Sequence, residues 1–284
     1  MSMAWSTDQV GPYHVVPFRP ERNATLDTLR WARTRLQIPI LLEVDVTAAR
    51  SAIRELRRRT GQGLSFTAWV VSCVARAAAE HPRVHSLRRG KRQLVLFDEV
   101  DVAVLVERAI GEGGQETLPM PVVIRRAEQK SAPQIHDEIR KAQEAQVSPG
   151  SSSIERAPPP WVQSMFFRLP AWLRDLLFWR WLLRSPTRIK RTMGTVVVTS
   201  AGAAAPGVLS WGIPTSLHPL AVSVGGVAQR GTATQKAHVL ALTVVFDHAV
   251  TDGAPVGRFV HRLHELMTRA EGLTGEPAGA SRSV

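Results

Sequence analysis

The chain has 284 residues, 44% of them hydrophobic, a formal net charge of +12 and a single cysteine. It is long enough for one large domain or two small ones, and too apolar to be disordered. The lone cysteine excludes an internal disulfide and fits a reducing cytoplasm, and Met1–Arg22 lacks the apolar run of a secretory signal, so a cytoplasmic location is expected.

Taken in chain order, the pattern predicts a strand over 38–46 and a helix over 47–59 opened by Thr47. An Ala- and Val-rich helix over 65–80 stops before Pro82 and holds Cys73 as a small core residue. Strands follow at 93–106, broken near Asp98, and at 119–126, then a polar amphipathic helix at 131–146. After a Ser/Pro-rich stretch, strands are predicted at 194–200, 219–229 and 238–246, ahead of a terminal helix. Alternating strands and helices without a repeat describe an α/β sandwich around one mixed sheet. The Gly111–Gly114 turn lacks the strand–turn–helix context of a nucleotide-binding loop.

The junction of the last strand and last helix carries the chemistry. Residues 239–246 form an apolar β-run, and Asp247-His248-Ala249-Val250-Thr251-Asp252-Gly253 then turns the chain. Val256, Phe259, Val260, Leu263, Leu266 and Met267 begin one apolar helix face directly afterwards. His248 therefore stands in a tight turn on a rigid support, where an imidazole serves as a general base near neutral pH. The bland alternative is a core histidine beside an Asp252 that only caps the helix. His81, His85, His261 and His264 carry no convergent carboxylate or thiol set, so no metal is expected.

Asp-His-x-x-x-Asp-Gly between a β-run and an amphipathic helix resembles the catalytic domain of the 2-oxo-acid dehydrogenase dihydrolipoamide acyltransferase family, in the chloramphenicol acetyltransferase-like superfamily. Further stretches resemble the family in order: Ile38-Pro39 with Glu43-Val44-Asp45-Val46-Thr47, then Pro119–Ala127, then Gly194–Gly202. The resemblance implies a chloramphenicol acetyltransferase-like two-layer sandwich with a mixed sheet, formed by residues 30–284 after an N-terminal arm at 1–29. It implies an acyltransferase moving an acyl group between coenzyme A and a dihydrolipoamide-like thiol, with His248 as base and no acyl-enzyme. Thr199 stands where the family has an oxyanion-donating serine; it keeps the hydroxyl donor, and Ser200 would replace it if the strand register shifted by one. Asp252 is expected to support the turn by pairing with an arginine, drawn from Arg19, Arg22, Arg30, Arg33 and Arg35. The resemblance also implies a homotrimer with active sites between subunits. With no covalent lipoyl site in this chain, the acceptor is a free thiol or a lipoyl domain on another chain. The Gly-, Ser- and Ala-rich end at 272–284 predicts assembly no further than the trimer.

A Pro/Trp-rich insertion at about 148–191 departs from the family. Residues 161–184 hold four of the eight tryptophans, with Pro170, Arg168, Arg174, Asp175 and Arg180 interrupting the apolar run, which excludes a membrane-spanning helix. The segment suits a helix lying in a membrane interface, packing on a neighbouring subunit, or a lid over an acyl pocket. Because its charges do not collect on one narrow face, it reads as apolar nearly all round, which favours protein packing. The densest basic runs, Arg54–Arg59 and Arg88–Arg92, lack interleaved aromatics, so no nucleic-acid partner is expected. A rival reading is a non-catalytic scaffold of the same fold that binds a partner or membrane through 161–184.

Overall fold

The computed structural model describes residues 22–110, 116–144, 160–200, 206–231 and 236–273, together with positions 13–15, 18, 20 and 202. The Gly111–Gly114 turn, the Ser/Pro-rich stretch before residue 160 and the chain end beyond 273 lie outside these residues.

A six-stranded mixed sheet forms the frame, in the order β1-β8-β7-β6-β4-β5. Its strands are β1 (Gln37–Asp45), β4 (Val102–Ile110), β5 (Glu116–Ile124), β6 (Val196–Ser200), β7 (Leu220–Gly231) and β8 (Lys236–Asp247). The β4–β6 and β6–β7 pairings are parallel and the other three antiparallel. Proline lacks the ladder N–H and is confined to sheet edges, and both edge strands carry it, Pro39 in β1 and Pro121 in β5. A two-stranded hairpin, β2 (Leu87–Arg89) and β3 (Gln93–Val95), turns at Gly90, whose φ of 64° suits a residue without Cβ.

One sheet face is covered by α2 (Thr47–Thr60), α3 (Phe66–Glu80), α4 (Ala132–Glu144) and α9 (Gly253–Thr268). The core between the layers holds Val102, Val104, Val196, Val198, Val222, Leu242 and Val244 from the strands, against Trp69, Val70, Val74, Ile135, Phe259 and Leu263. The central helix α3 is buried nearly all round, which its small Ala/Val sequence allows, and Ser65 Oγ caps it by accepting from the Ala68 N–H at 3.4 Å. Cys73 is buried there, and burial pushes its thiol pKa up to about 12, so it is a core atom and not a nucleophile. The start of α2 corrects the sequence reading in one detail. Asp45 Oδ1 accepts from the Thr47 N–H at 2.8 Å, while the Thr47 hydroxyl instead accepts from the His238 N–H of β8.

The expected two-layer sandwich with a mixed sheet is thus the architecture found. Two helices were not legible in the pattern: one at Pro186–Met193 and a first helix, α1 (Arg22–Ala32), which runs across the boundary expected between arm and domain.

The insertion folds as α5 (Pro160–Arg168), α6 (Ala171–Arg174), a π-helical turn (Asp175–Trp179), α7 (Arg180–Leu183) and α8 (Pro186–Met193). Its apolar residues lie on both sides, as the sequence pattern suggests, with Trp172, Leu176 and Leu177 exposed and Trp179 and Leu182 turned inward. Trp179, Leu182 and Ile189 build a second core with Ala32 of α1, Leu87 and Leu217. Arg174 points inward as well: Nε and Nη2 donate to the two carboxylate oxygens of Asp27 at 2.6 and 2.9 Å, with both side chains buried. The carboxylate raises the Arg174 pKa, as charge-assisted bidentate pairing should. Trp31 Nε1 donates to Asp175 at 2.8 Å and Asn23 Nδ2 to the Phe167 carbonyl at 2.9 Å. The segment packs on this same chain through one face, and the opposite face stays exposed.

Two buried histidines give the fold a defined acid limit. His218 donates from Nε2 to the Met193 carbonyl at 2.8 Å and accepts at Nδ1 from Ser216 Oγ at 2.9 Å, a set that fits the neutral ring. His85 Nδ1 lies 3.0 Å from Thr195 Oγ1, and its Nε2 is buried without a partner among the described residues. Burial pushes both pKa values down to about 4; Lys190 adds to the shift at His85. Between about pH 6.5 and 4 the unfolded chain therefore binds the extra protons and the folded chain does not, so acid favours unfolding. Thermal melts from pH 8 to 4 are expected to show a Tm flat with respect to these groups above pH 6.5. Below it the Tm falls, each ring contributing up to about 3 kcal/mol at the acid end. A His218→Asn variant should remove part of that slope.

Candidate active site

The apolar run of β8 ends at Asp247, and its antiparallel pairing with both β1 and β7 fixes where the following turn stands. The His248 N–H donates to the Leu36 carbonyl at 2.7 Å and the Asp247 N–H to the Pro219 carbonyl at 2.9 Å. The Asp247 carboxylate, 2% exposed, staples the turn from inside: Oδ1 accepts from the Ala249 N–H at 3.0 Å and Oδ2 from Arg35 Nη1 at 3.5 Å. The Asp247 carbonyl accepts from the N–H groups of Val250 and Thr251. Gln37 and Ser216 bond reciprocally beside it, linking the start of β1 to the His218 network.

On this support the His248 side chain is 43% exposed, with its ring 6.0 Å from that of Phe246. Its Nδ1 lies 3.6 Å from Asp252 Oδ1, longer than a hydrogen bond. Asp252 itself is 84% exposed and does not cap α9 with its side chain. The expected arginine pairing of Asp252 is therefore corrected: among the described residues the pairing arginine is Arg35, and its partner is Asp247. A carboxylate at the buried end of the strand needs a cation, whereas one at the exposed start of a helix does not. Asp252 is left facing the imidazole, where it can orient it. The ring is open to solvent, and an imidazole is a side chain able to accept a proton.

Thr199 lies on β6 opposite Ser223 of β7, which lies opposite Thr243 of β8. Register partners share a face, so these three hydroxyls form a transverse row on the sheet face away from the helices, next to Val197, Ala221 and Val245. Ser200 falls on the helix face with Val196 and Val198, so the register selects Thr199 for the second face and leaves Ser200 exposed at the strand end. The end of β6 is braced by contacts that exclude side chains: a Cβ at Gly202 would lie 1.9 Å from the Gly225 carbonyl oxygen, and one at Gly226 1.8 Å from that of Val208.

Within one chain Thr199 and His248 are not brought together. Phe246 is level with Leu220 and Val196 across the sheet, which puts His248 about five residues from the level of Thr199, roughly 16 Å along the strands and about 10 Å across them. The described residues show no cluster of three or more His, Cys, Asp or Glu side chains able to hold a metal ion.

Residues 10–149 match the family of 2-oxoacid dehydrogenase acyltransferases, catalytic domain. Over those residues, just under half of the chain, the sequence is similar to this family. The match begins ahead of residue 30, where the sequence motifs begin, and ends at the start of the insertion. No curated protein matches the sequence. Among solved structures, a dihydrolipoamide acetyltransferase from Azotobacter vinelandii shares 18% identity, with 96% of this chain and 99% of that one covered, at a TM-score of 0.65. In that enzyme a serine, a histidine and an asparagine have been investigated for roles in catalysis, the histidine and asparagine four residues apart. The cubic core of the pyruvate dehydrogenase multienzyme complex shares 17% identity over 96% of this chain and 99% of that one, at a TM-score of 0.64. A probable dihydrolipoamide acetyltransferase from Listeria monocytogenes shares 18% over 91% and 95%, at 0.63. At these identities the likeness is one of fold. It extends through the His248 half of the chain, which the family match does not reach.

Proposed function

We propose that this acyltransferase moves an acyl group between coenzyme A and a dihydrolipoamide-like thiol, with His248 as the general base. The observation that carries the proposal is an exposed imidazole in a turn stapled by the buried Asp247–Arg35 pair. Histidine and Asp252 keep the four-residue spacing of the histidine and asparagine investigated in the Azotobacter enzyme.

A thiol has a pKa near 8.5 and is mostly protonated at neutral pH. His248 accepts its proton as sulfur attacks the thioester carbonyl, and Thr199 donates its hydroxyl hydrogen bond to the oxygen that becomes negative. When the carbonyl reforms, the departing thiolate takes the proton back from the imidazolium, so the enzyme returns to its starting state. Asp252, 3.6 Å from the ring, holds its orientation. The separation of Thr199 from His248 within one chain supports a homotrimer in which the two come from different subunits. The acceptor thiol is then a small molecule or a lipoyl domain carried by another chain, and the net positive charge suits the phosphates of coenzyme A.

Calorimetric titration of coenzyme A and acetyl-coenzyme A into the wild type and His248→Ala tests this. Micromolar-range binding to both is expected, because the base acts on the proton and not on the nucleotide. Absence of binding to either protein would sink the proposal.

A further inference from the structure

The buried face of the insertion leaves a second face without a partner among the described residues. Along α6, the π-helical turn and α7, Arg174, Trp179 and Leu182 point inward, while Trp172, Leu176, Leu177, Arg180, Trp181 and Arg184 point outward. Trp172 is 67% and Leu177 58% exposed, and α5 adds exposed Trp161 and Met165. Solvent-exposed side chains this large and this close together are unusual on a soluble surface.

The charges on this face have one sign. Arg168, Arg180, Arg184 and Arg188 are exposed, and the only carboxylate in residues 160–193 is Asp175, which is partly buried and held by Arg30, Trp31 and Arg180. Arg188 lies 4.6 Å from the centre of the Trp181 ring, a cation and an indole presented together. No described helix is long and apolar enough to cross a membrane. A second copy of this face would bring arginine against arginine, and an ordinary acidic protein patch would leave the tryptophans and leucines unmatched.

We propose that this face docks on the headgroup region of an anionic lipid bilayer. Trp161, Trp172, Leu176 and Leu177 enter the interface, where indole rings sit with one side apolar and the N–H wet. The arginines stay at the level of the phosphates, their alkyl stems alongside the apolar side chains. The segment lies in the interface and does not span it. The Asp27–Arg174 pair and the second core hold it rigid on α1, so docking the face would dock the whole catalytic domain.

Vesicle flotation with the full chain is the test, using phosphatidylcholine alone and phosphatidylcholine with about one-third phosphatidylglycerol. Binding to the anionic vesicles only, with a blue shift of tryptophan emission, is expected. Leu176→Glu/Leu177→Glu should weaken binding at least about tenfold, and so should Arg184→Glu/Arg188→Glu, each arginine near the surface being worth about a factor of five. All four positions are exposed, and an unchanged thermal melt establishes that the variants are folded. No binding to anionic vesicles overturns the proposal. So does binding that the leucine variant leaves intact, since that would be charge attraction alone. A leucine variant of lower oligomeric mass by light scattering would also overturn it, showing the face to be covered by another copy of the chain.

Discussion

Arg174→Met is expected to lower the stability of the folded chain by about 3–5 kcal/mol, because it leaves the Asp27 carboxyl group buried with its main partner gone. The guanidinium makes two hydrogen bonds to that carboxylate and a third to the Leu169 carbonyl. What remains near Asp27 is Trp179 Nε1 at 3.4 Å and the more exposed Arg30 at 3.9 Å, neither of which replaces a bidentate partner. Urea unfolding should read the loss directly, and the Tm should fall by roughly 10 °C. The cost comes from the orphaned carboxyl group more than from the pair itself, so Asp27→Leu combined with Arg174→Met should recover most of it. A double variant as unstable as the single one would show that the pair itself, and not relief of a buried carboxyl group, stabilises the insertion.

The other large effect is catalytic. His248→Ala should lower the turnover of acyl transfer to a thiol by about two to four orders of magnitude, the usual worth of a positioned general base. The Tm should hardly change, because the side chain is exposed and makes no hydrogen bond among the described residues. Thiol substrates of lower pKa should suffer less in the variant, since they bring more thiolate to the reaction. A variant that keeps its rate with all thiols would remove His248 from the mechanism and favour the scaffold reading.

How much of this was legible differs by element. The strand β8, the turn and α9 were readable because an eight-residue run, apolar but for Thr243, followed by Asp-Gly and a helical apolar stripe forms a local signal. The helix α1 was not: its apolar residues Leu26, Leu29, Trp31 and Ala32 are spread among polar ones, and what fixes it is a segment more than 140 residues downstream. Arg174 looked like an interruption of an apolar helix because the carboxylate that neutralises it is not nearby in sequence. The same distance hid the support of the site. His248 and Asp252 were visible four residues apart, but the Arg35–Asp247 contact spans 212 residues, and Arg35 was one of five equivalent candidates. Local periodicity reports faces of helices and strands; it does not report which charge meets which.

The edge position of β1 has a consequence for biosynthesis. Among the described residues its only strand partner is β8, so residues 37–45 wait for residues 239–247 to be made before they can pair in the sheet. At ordinary translation speeds that interval lasts roughly 10–40 s, during which an Ile-, Leu- and Val-rich segment is without its native neighbour. Pro39 then acts as a guard, withholding one N–H from any unintended strand that tries to add to the waiting segment. When β8 arrives, the same pairing that satisfies β1 brings Leu36 and Arg35 against the His248 turn, so closure of the sheet and completion of the turn are one event.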